Sequence, residues 1–293
     1  MMMNKKFYGS ILLVILFIFS GCAFKKVARS KNIIYLAADS LQNVAEQRLN
    51  IYSPHKNDAL KEVLVFIYGG NWNSGKRSLY SFLGNRMARK NIVTVIIDYP
   101  KSPKANYKEM ATDAAMAVKW VTQNINKYGG DADKIFVSGH SAGGHLAALI
   151  AVDDRYFKQL NIANPVKGVI LIDAAGLDMY SYLKSENFPD SNTYLKTFTN
   201  DTTTWKAASP LYLLHANMPP MLIYQGGKTY PSIAAGNREF VTALNKLGNK
   251  PVYHIIKGKK HIPMITQFLN PWNAHYQEMI DFMKKNVSNA TVK

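Results

Sequence analysis

The fold of this chain is decided by residues 135–145, which read Ile-Phe-Val-Ser-Gly-His-Ser-Ala-Gly-Gly-His. The first three are typical of a buried strand, and the residues from 145 to 150 favour a helix. Between strand and helix lies the pattern G-x-S-x-G, centred on Ser141. Its glycines leave room for a sharp turn that holds the serine hydroxyl out at the top of a sheet. The stretch therefore predicts a nucleophile at Ser141 and not a plain connecting turn.

Strand and helix patterns alternate on both sides of this turn. Apolar runs predict buried strands at 63–68, 92–97, 166–173, 221–224 and 252–256, and an exposed antiparallel strand at 48–52. Helical patterns occupy 79–89, 107–128, 238–247 and 271–285. This alternation predicts an α/β fold with a mostly parallel, doubly wound sheet covered on both faces. The polar, aromatic-rich stretch 177–214 predicts a small cap insertion.

The first 22 residues predict export. Lys5 and Lys6 precede a short apolar run at 11–19, which is followed by Ser-Gly-Cys. The run is shorter than the roughly 20 residues of a membrane span. The pattern resembles a bacterial lipoprotein signal in which Cys22 is lipidated; an ordinary signal peptide or an anchor helix with a chance cysteine is the alternative. We predict a signal peptide at 1–21, a tether at 22–46 and one domain at 47–293, lipid-anchored to a membrane of the bacterial cell envelope.

The composition limits the partners. The formal net charge is +17, from 36 Lys and Arg against 19 Asp and Glu, but the lysines are scattered and no nucleic-acid-reading motif accompanies them. We therefore predict a solvated surface that favours anionic lipid headgroups or acidic glycans, and no nucleic acid as partner. Cys22 is the only cysteine, so the chain cannot form an internal disulfide. We predict no cofactor and no metal.

A serine nucleophile needs a base, a group that orients the base, and donors for the developing oxyanion. His261 lies in a glycine-containing loop after the last predicted strand, from which an imidazole can reach the top of the sheet. His140 and His145 flank the serine on the turn itself and are predicted to point away from its hydroxyl. The sequence therefore predicts His261 as the base.

The oxyanion donors are predicted to be backbone N–H groups. The strand at 63–68 ends in Gly-Gly-Asn-Trp, and two glycines let the backbone approach a substrate oxygen closely. The residue that follows the nucleophile supplies a second arm of such a site. We therefore predict the N–H groups of Gly70, Asn71 and Ala142 as the oxyanion hole.

These motifs resemble the α/β-hydrolase superfamily, in the esterase/lipase branch that includes hormone-sensitive-lipase-like, kynurenine-formamidase-like and bacterial feruloyl or acetyl esterases. The resemblance covers nearly the whole mature chain, and the elbow G-x-S-A-G-G-H of that branch is matched completely at residues 139–145. Other matching positions are 48–54, 68–72, 98–99, 128–131, Gly226 and His261. The resemblance implies an α/β-hydrolase fold and the cleavage of an ester or amide.

Two positions depart from the pattern of that branch. Its oxyanion loop usually begins His-Gly-Gly, where this chain has Tyr68. Its acid usually lies in a Gly-x-x-Asp turn, where this chain has Thr229. A hydroxyl cannot stabilise an imidazolium with a full negative charge, so the base requires a carboxylate from another part of the chain. Asp173 lies at the end of the preceding predicted strand, 166–173, and this placement resembles that of the acid in pancreatic-type lipases. We predict that Asp173 orients His261, with Asp178 as second choice.

The sequence thus predicts a serine esterase that acts on a small-molecule or glycan-linked ester through an acyl-enzyme. Aromatic residues of the cap are expected to line its pocket, and they are Tyr180, Tyr182, Phe188, Tyr194, Phe198 and Trp205. Amidase or peptidase action uses the same groups and is an alternative. The other alternative is a weak or inactive relative that binds a ligand or partner at the envelope, which Tyr68 and Thr229 favour and which the retention of Ser141 and His261 disfavours.

Overall fold

A computed structural model describes residues 26–39, 45–55 and 59–288 of the protein. The predicted signal peptide at 1–21 and the predicted lipidation site Cys22 lie outside the described residues, as does part of the predicted tether. Within the described ranges, no helix is both long and apolar enough to cross a bilayer.

Eight strands form one sheet. They are β1 (Val27–Leu36), β2 (Gln47–Pro54), β3 (Lys61–Ile67), β4 (Val93–Ile97), β5 (Gly130–His140), β6 (Val166–Ile172), β7 (Met221–Gly226) and β8 (Val252–Ile256). Their order across the sheet is β1-β2-β4-β3-β5-β6-β7-β8. β1 and β2 run antiparallel to their neighbours, and the strands from β3 to β8 are parallel to one another. The predicted α/β-hydrolase fold is thereby confirmed.

Ten α-helices accompany the sheet. They are α1 (Ser81–Arg89), α2 (Tyr107–Asn124), α3 (Ala142–Val152), α4 (Arg155–Lys158), α5 (Met179–Ser185), α6 (Thr193–Phe198), α7 (Thr202–Ala207), α8 (Pro231–Lys246), α9 (His261–Thr266) and α10 (His275–Ser288), counted over the described residues. Short 3₁₀ turns precede α1 at 77–80 and follow α2 at 125–128. Helices α5, α6 and α7 lie between β6 and β7, in the stretch for which a cap was predicted.

The central strands are apolar because both of their faces are covered. Every residue of β4 is buried, and so is every residue of α3, which follows the nucleophile strand. A strand covered on one face alone alternates apolar and polar residues, whereas these strands read as continuous apolar runs. The buried centre fixes the carboxyl ends of β3, β5, β6 and β7 relative to one another, and the functional groups follow those ends.

The prediction for the N-terminal part of the domain was wrong in two respects. Residues 27–36 of the predicted tether form β1, which pairs with β2 along the edge of the sheet. The strand at 48–52 was predicted to be exposed, but β2 is buried almost throughout. It lies second in the sheet, between β1 and β4, and α1 packs so closely on it that a side chain at Gly84 would collide with the Tyr52 ring.

Several helix ends differ from the predicted ones for local reasons. The second helix begins at Tyr107 as predicted, where Asn106 and Glu109 form a reciprocal capping box. It ends at Asn124 and continues as a 3₁₀ turn that Gly129 stops with a φ of 80°. Helix α8 begins at Pro231, seven residues earlier than predicted, because proline at the first helical position is already set to helical φ.

Candidate active site

Ser141 occupies the sharp turn between β5 and α3. Its φ and ψ are 56° and −125°, a conformation that L side chains rarely adopt. The turn is possible because its flanking residues have no Cβ: a side chain at Gly139 would collide with the backbone of Gly143, and one at Gly143 with that of Ile67. The geometry presents the Ser141 hydroxyl above the amino end of α3, as the G-x-S-x-G pattern predicts.

His261 meets the Ser141 hydroxyl from the other side of the pocket. Its Nε2 lies 2.8 Å from Ser141 Oγ, a hydrogen-bond distance. The two residues are 120 positions apart and come together because β5 and β8 end at the same edge of the sheet. The sequence predicts a loop at His261, whereas in the structure His261 is the first residue of α9.

Asp173 lies behind His261 and is fully buried. Its Oδ2 is 2.6 Å from His261 Nδ1. The carboxylate follows β6 directly, with a φ of 48° that turns its side chain toward the neighbouring strand end. Asp178, the second choice, also lines the pocket but makes no hydrogen bond with His261: its side chain accepts from the Ser181 N–H and caps α5.

Thr229 supports this carboxylate and does not replace it. The Thr229 hydroxyl donates to Asp173 Oδ2 at 2.5 Å, and the Gly226 N–H donates to Asp173 Oδ1 at 2.7 Å. Because these donors and the imidazole together engage both oxygens, the buried negative charge is compensated by hydrogen bonds. The turn that carries the acid in the resembled branch here carries a hydroxyl that holds an acid from the adjacent strand.

The hydrogen-bond chain determines which nitrogen of His261 carries the proton. A carboxylate only accepts, so Nδ1 is the protonated nitrogen that donates to Asp173. Nε2 of the neutral ring then has a free lone pair that faces Ser141 Oγ. This is the tautomer that can remove the hydroxyl proton of a nucleophile.

The turn at residues 69–72, which we call the oxyanion turn, packs against the nucleophile. A Cβ at Gly69 would lie 2.9 Å from Ser141 Cβ, too close for any other residue. Gly70, Asn71 and Trp72 all have positive φ, of 142°, 52° and 58°. Within the described residues, the N–H groups of Gly70 and Asn71 have no hydrogen-bond acceptor. Such free donors at the wall of a pocket are suited to an anionic oxygen.

Ala142 provides the third predicted donor. It is the first residue of α3, and the first N–H groups of a helix have no acceptor within the helix. The positive end of the helix dipole adds to the preference for negative charge at this point. The three predicted oxyanion donors thus flank Ser141 on the chain and across the sheet.

Tyr68 anchors the oxyanion turn where the resembled branch has histidine. Its hydroxyl donates to Asp98 Oδ1 at 3.1 Å, and Asp98 also pairs with the Arg77 guanidinium. The Tyr99 hydroxyl donates to the Tyr68 carbonyl at 3.0 Å. Burial raises the pKa of Tyr68 well above its ordinary value, so the phenol stays protonated as a donor. Tyr68 therefore holds the oxyanion turn to the residues that follow β4 through its hydroxyl and its carbonyl group.

His140 contacts the base, which sequence reasoning did not foresee. Its ring lies 4.7 Å from the His261 ring with an interplanar angle of 28°, and its Nε2 lies 3.2 Å from the His261 carbonyl oxygen. Since a carbonyl only accepts, Nε2–H donates. Burial lowers the pKa of His140 to about 3, so the ring beneath the base is neutral. The sequence feature that could have indicated this contact is the position of His140 directly before Ser141.

A pocket of about 820 Å³ opens above Ser141 and His261. Of the six cap aromatics predicted to line it, Tyr182 and Tyr194 do so. The other four pack within the cap or against the body, as Phe198 does on the Trp72 ring. The wall also contains residues that were not predicted, which are Trp72, Tyr80, Met179, Tyr230, Ile233, Ile262 and Ile265. The pocket is thus apolar and aromatic around a polar centre.

Comparison with known proteins gives one family and several named relatives. The BD-FAE family model matches residues 49–233. Isoprenylcysteine alpha-carbonyl methylesterase ICME of Arabidopsis thaliana is 29% identical over an alignment of 280 residues, and the match covers 88% of this chain and 61% of the relative. Esterase LipQ of Mycobacterium tuberculosis is 32% identical over an alignment of 198 residues, and the match covers 64% of this chain and 46% of the relative. This chain thus spans about half to three fifths of the length of these curated relatives.

The solved structures include the same architecture. Thermogutta terrifontis esterase 2 phosphonylated by sarin has a TM-score of 0.65 and 27% identity, over 82% of this chain and 86% of that one. The family match covers more than half of the chain and includes the oxyanion turn, Ser141 and Asp173. The chain belongs to the BD-FAE family.

Proposed function

We propose that the protein is a serine hydrolase that cleaves a carboxylic ester through an acyl-enzyme. The observation that carries the proposal is the continuous chain Asp173–His261–Ser141, with donor–acceptor distances of 2.6 and 2.8 Å, at the floor of one pocket. The named esterases among its relatives support the same reaction class.

In the first half-reaction, Ser141 Oγ attacks the ester carbonyl carbon while its proton passes to His261 Nε2. The negative charge that forms on the carbonyl oxygen is received by the N–H groups of Gly70, Asn71 and Ala142. Asp173 stabilises the imidazolium and keeps its ring in place. When the intermediate collapses, the bond to the alcohol oxygen breaks and His261 returns the proton to that oxygen.

The second half-reaction repeats these steps with water. His261 Nε2 takes a proton from water as its oxygen attacks the acyl carbon of the acyl-enzyme. The same N–H groups receive the second oxyanion. Collapse then breaks the bond to Ser141 Oγ, which regains its proton from His261, and the carboxylic acid leaves.

Labelling with a fluorophosphonate probe, together with hydrolysis of p-nitrophenyl esters from acetate upward, tests the proposal. We expect one covalent adduct per chain and ester turnover, both lost in Ser141→Ala. A p-nitroanilide with the same acyl group separates esterase from amidase action. If the folded wild-type protein neither reacts with the probe nor turns over any ester, the proposal is wrong, and a ligand-binding relative becomes the better description.

We further propose that the protein is exported and held at the bacterial envelope through a lipid on Cys22. The support is the order of basic residues, a short apolar run and Ser-Gly before the cysteine. In cells fed a labelled fatty acid, wild type should carry the label and sediment with membranes. Cys22→Ser should do neither, and equal labelling of both proteins contradicts the proposal.

A further inference from the structure

His145 is a buried histidine that the proposed reaction does not use. It lies on α3, four residues after the nucleophile, and is fully shielded from solvent. Its Nδ1 is 3.2 Å from Trp72 Nε1, and its Nε2 is 2.7 Å from the Ala208 carbonyl oxygen. The ring therefore connects the oxyanion turn, the helix of the nucleophile and the end of the cap.

The chemistry of the two partners allows one form of the ring. An indole nitrogen only donates, so His145 Nδ1 must be unprotonated to accept from Trp72. A carbonyl only accepts, so His145 Nε2 must carry the proton that it donates to Ala208. The neutral Nε2–H tautomer satisfies both bonds, and no other form does. Burial lowers the pKa of His145 to about 4, which keeps this neutral form at ordinary pH.

On the side of the oxyanion turn, His145 binds a strained backbone segment. Asn71 and Trp72 have consecutive positive φ values of 52° and 58°, although neither is glycine. Such backbone persists where surrounding contacts determine it. The Trp72 carbonyl accepts from the Ser102 N–H at 3.0 Å, and the indole N–H is held by His145. These bonds fix the residue that directly follows the predicted oxyanion donors.

At its second end, the connection reaches the cap. Ala208 directly follows α7, so the His145 bond to its carbonyl fixes the end of that helix. The Trp72 ring also makes edge contacts with Tyr194 and Phe198 of α6, at centroid distances of 5.9 and 5.0 Å. The cap helices and the oxyanion turn therefore pack on the same pair of rings.

We propose that His145 is a positioning residue: through its bond to Trp72 it keeps the N–H groups of the oxyanion turn aimed at the reacting carbonyl. Through its bond to Ala208 it also fixes the cap relative to that turn. This inference rests on the proposed ester hydrolysis. A turn that is folded but mispositioned binds substrate as before and stabilises the oxyanion less, because displacements on the order of 1 Å can cost about 100-fold in rate. Loss of the bond should therefore lower kcat and leave KM nearly unchanged.

Two substitutions separate the bonds of His145. An asparagine oxygen lies near the place of Nδ1 and can still accept from Trp72, whereas a glutamine nitrogen lies near the place of Nε2 and can still donate to Ala208. We expect His145→Gln to lower kcat by about 10- to 100-fold, and His145→Asn by about threefold or less. Trp72→Phe, which keeps an aromatic ring but removes the N–H, should resemble His145→Gln.

The double variant Trp72→Phe/His145→Gln provides the decisive comparison. Since both changes remove the same bond, the double variant should lose no more than about threefold beyond either single variant. The count of probe-reactive Ser141 in each sample normalises kcat to folded sites. Three results would each overturn the positioning role. The first is a kcat loss in the double variant equal to the product of the two single losses. The others are equal kcat losses in His145→Asn and His145→Gln, and a wild-type kcat in Trp72→Phe. Should the His145 variants not fold, Trp72→Phe alone decides.

The same assay distinguishes this inference from the proposed function. A wild-type protein without turnover or labelling rejects ester hydrolysis, and the positioning role with it. A wild-type protein that turns over esters, compared with a Trp72→Phe protein of equal kcat and KM, rejects the positioning role alone.

Discussion

The exchange Asp173→Asn reverses a hydrogen bond on which the proposed base depends. The Gly226 N–H donates to Asp173 Oδ1, so an asparagine would keep its amide oxygen at that position. Its NH₂ group then takes the place of Oδ2, which faces His261 Nδ1 and the Thr229 hydroxyl. An NH₂ group only donates, so His261 Nδ1 must become the acceptor and Nε2 must carry the proton. The ring can then no longer accept a proton from Ser141.

The size of the effect distinguishes a catalytic from a structural carboxylate. A wrong tautomer at a serine hydrolase base lowers kcat by about 10⁴-fold, which corresponds to roughly 5 kcal/mol of transition-state stabilisation. Loss of an ordinary structural hydrogen bond costs about 1 kcal/mol, or a factor of about five. We expect kcat for p-nitrophenyl acetate to fall by about 10³- to 10⁴-fold in Asp173→Asn, with KM changed by less than about threefold.

Asp178→Asn is the matched control. It changes the same chemical group in the same pocket, and asparagine caps a helix as well as aspartate does. We expect its kcat and KM to stay within about twofold of wild type. An Asp173→Asn protein that retains more than about a tenth of wild-type kcat would refute the reasoning, since no such residual rate is compatible with the reversed bond.

A second-site change tests whether the carboxylate can return to the turn after β7. Thr229 Oγ1 lies 2.5 Å from the Asp173 oxygen that His261 uses, so a carboxylate at residue 229 can reach the imidazole. Adding Thr229→Asp to Asp173→Asn should raise kcat at least about tenfold above that of Asp173→Asn alone, because a charged acceptor again faces His261 Nδ1. Further loss in the double variant would contradict this geometry.

Three further predictions concern the residues that support the site. Gly70→Ala should lower kcat by about 100-fold or more in steady-state assays, because the φ of Gly70 is 142° and a Cβ would collide with the Ser74 backbone. Gly236→Ala should be neutral, because Gly236 also lies on the pocket wall but no atom would lie nearer than 3.6 Å to its added Cβ. Thr229→Val removes one donor to Asp173 and should cost about three- to tenfold in kcat, about 1 kcal/mol; an unchanged kcat would contradict the supporting role. His145 binds its proton with a pKa lowered to about 4 when folded and about 6.5 when unfolded, so the unfolded state binds more protons between these values. The free energy of unfolding of the wild type, measured in urea, should therefore fall as the pH decreases across this interval. Its slope should be steeper than that of His145→Asn by about 1.4 kcal/mol per pH unit. Equal slopes would show that His145 is not neutral when folded.

Much of the fold could be predicted because its signals are local. The glycines at 139 and 143 relieve collisions within the turn that they define, so the sequence around Ser141 contains its own structural reason. β1 gives no such signal. It pairs on one side only, with an irregular register between Ser30 and Ile33 and a φ of 59° at Asn32, so its apolar residues do not alternate regularly. Polar residues at an exposed edge read as a linker.

The site was harder to predict where residues meet across strands. Ser141 and His261 follow from the order of elements, but the choice among Asp173, Asp178 and Thr229 depends on how far each turn extends beyond its strand. Asp173 and Thr229 are 56 residues apart and meet because β6 and β7 are parallel neighbours. Most of the pocket wall was missed for the same reason: Tyr230, for example, reaches it from the turn after β7.

The location of the Asp173 carboxylate directly after β6 has a consequence for how members of this family can diversify. Gly226 at the end of β7 donates its backbone amide to Asp173, and Thr229 in the following loop donates its hydroxyl. The next residue, Tyr230, lies on the pocket wall with its ring 5.3 Å from that of His261. The carboxylate that orients the proposed base thus lies at the end of β6, whereas part of the pocket wall lies on the loop after the neighbouring strand β7. Evolution or directed mutagenesis can therefore change which ligands the pocket admits at Tyr230 while the carboxylate proposed to orient the base stays in place.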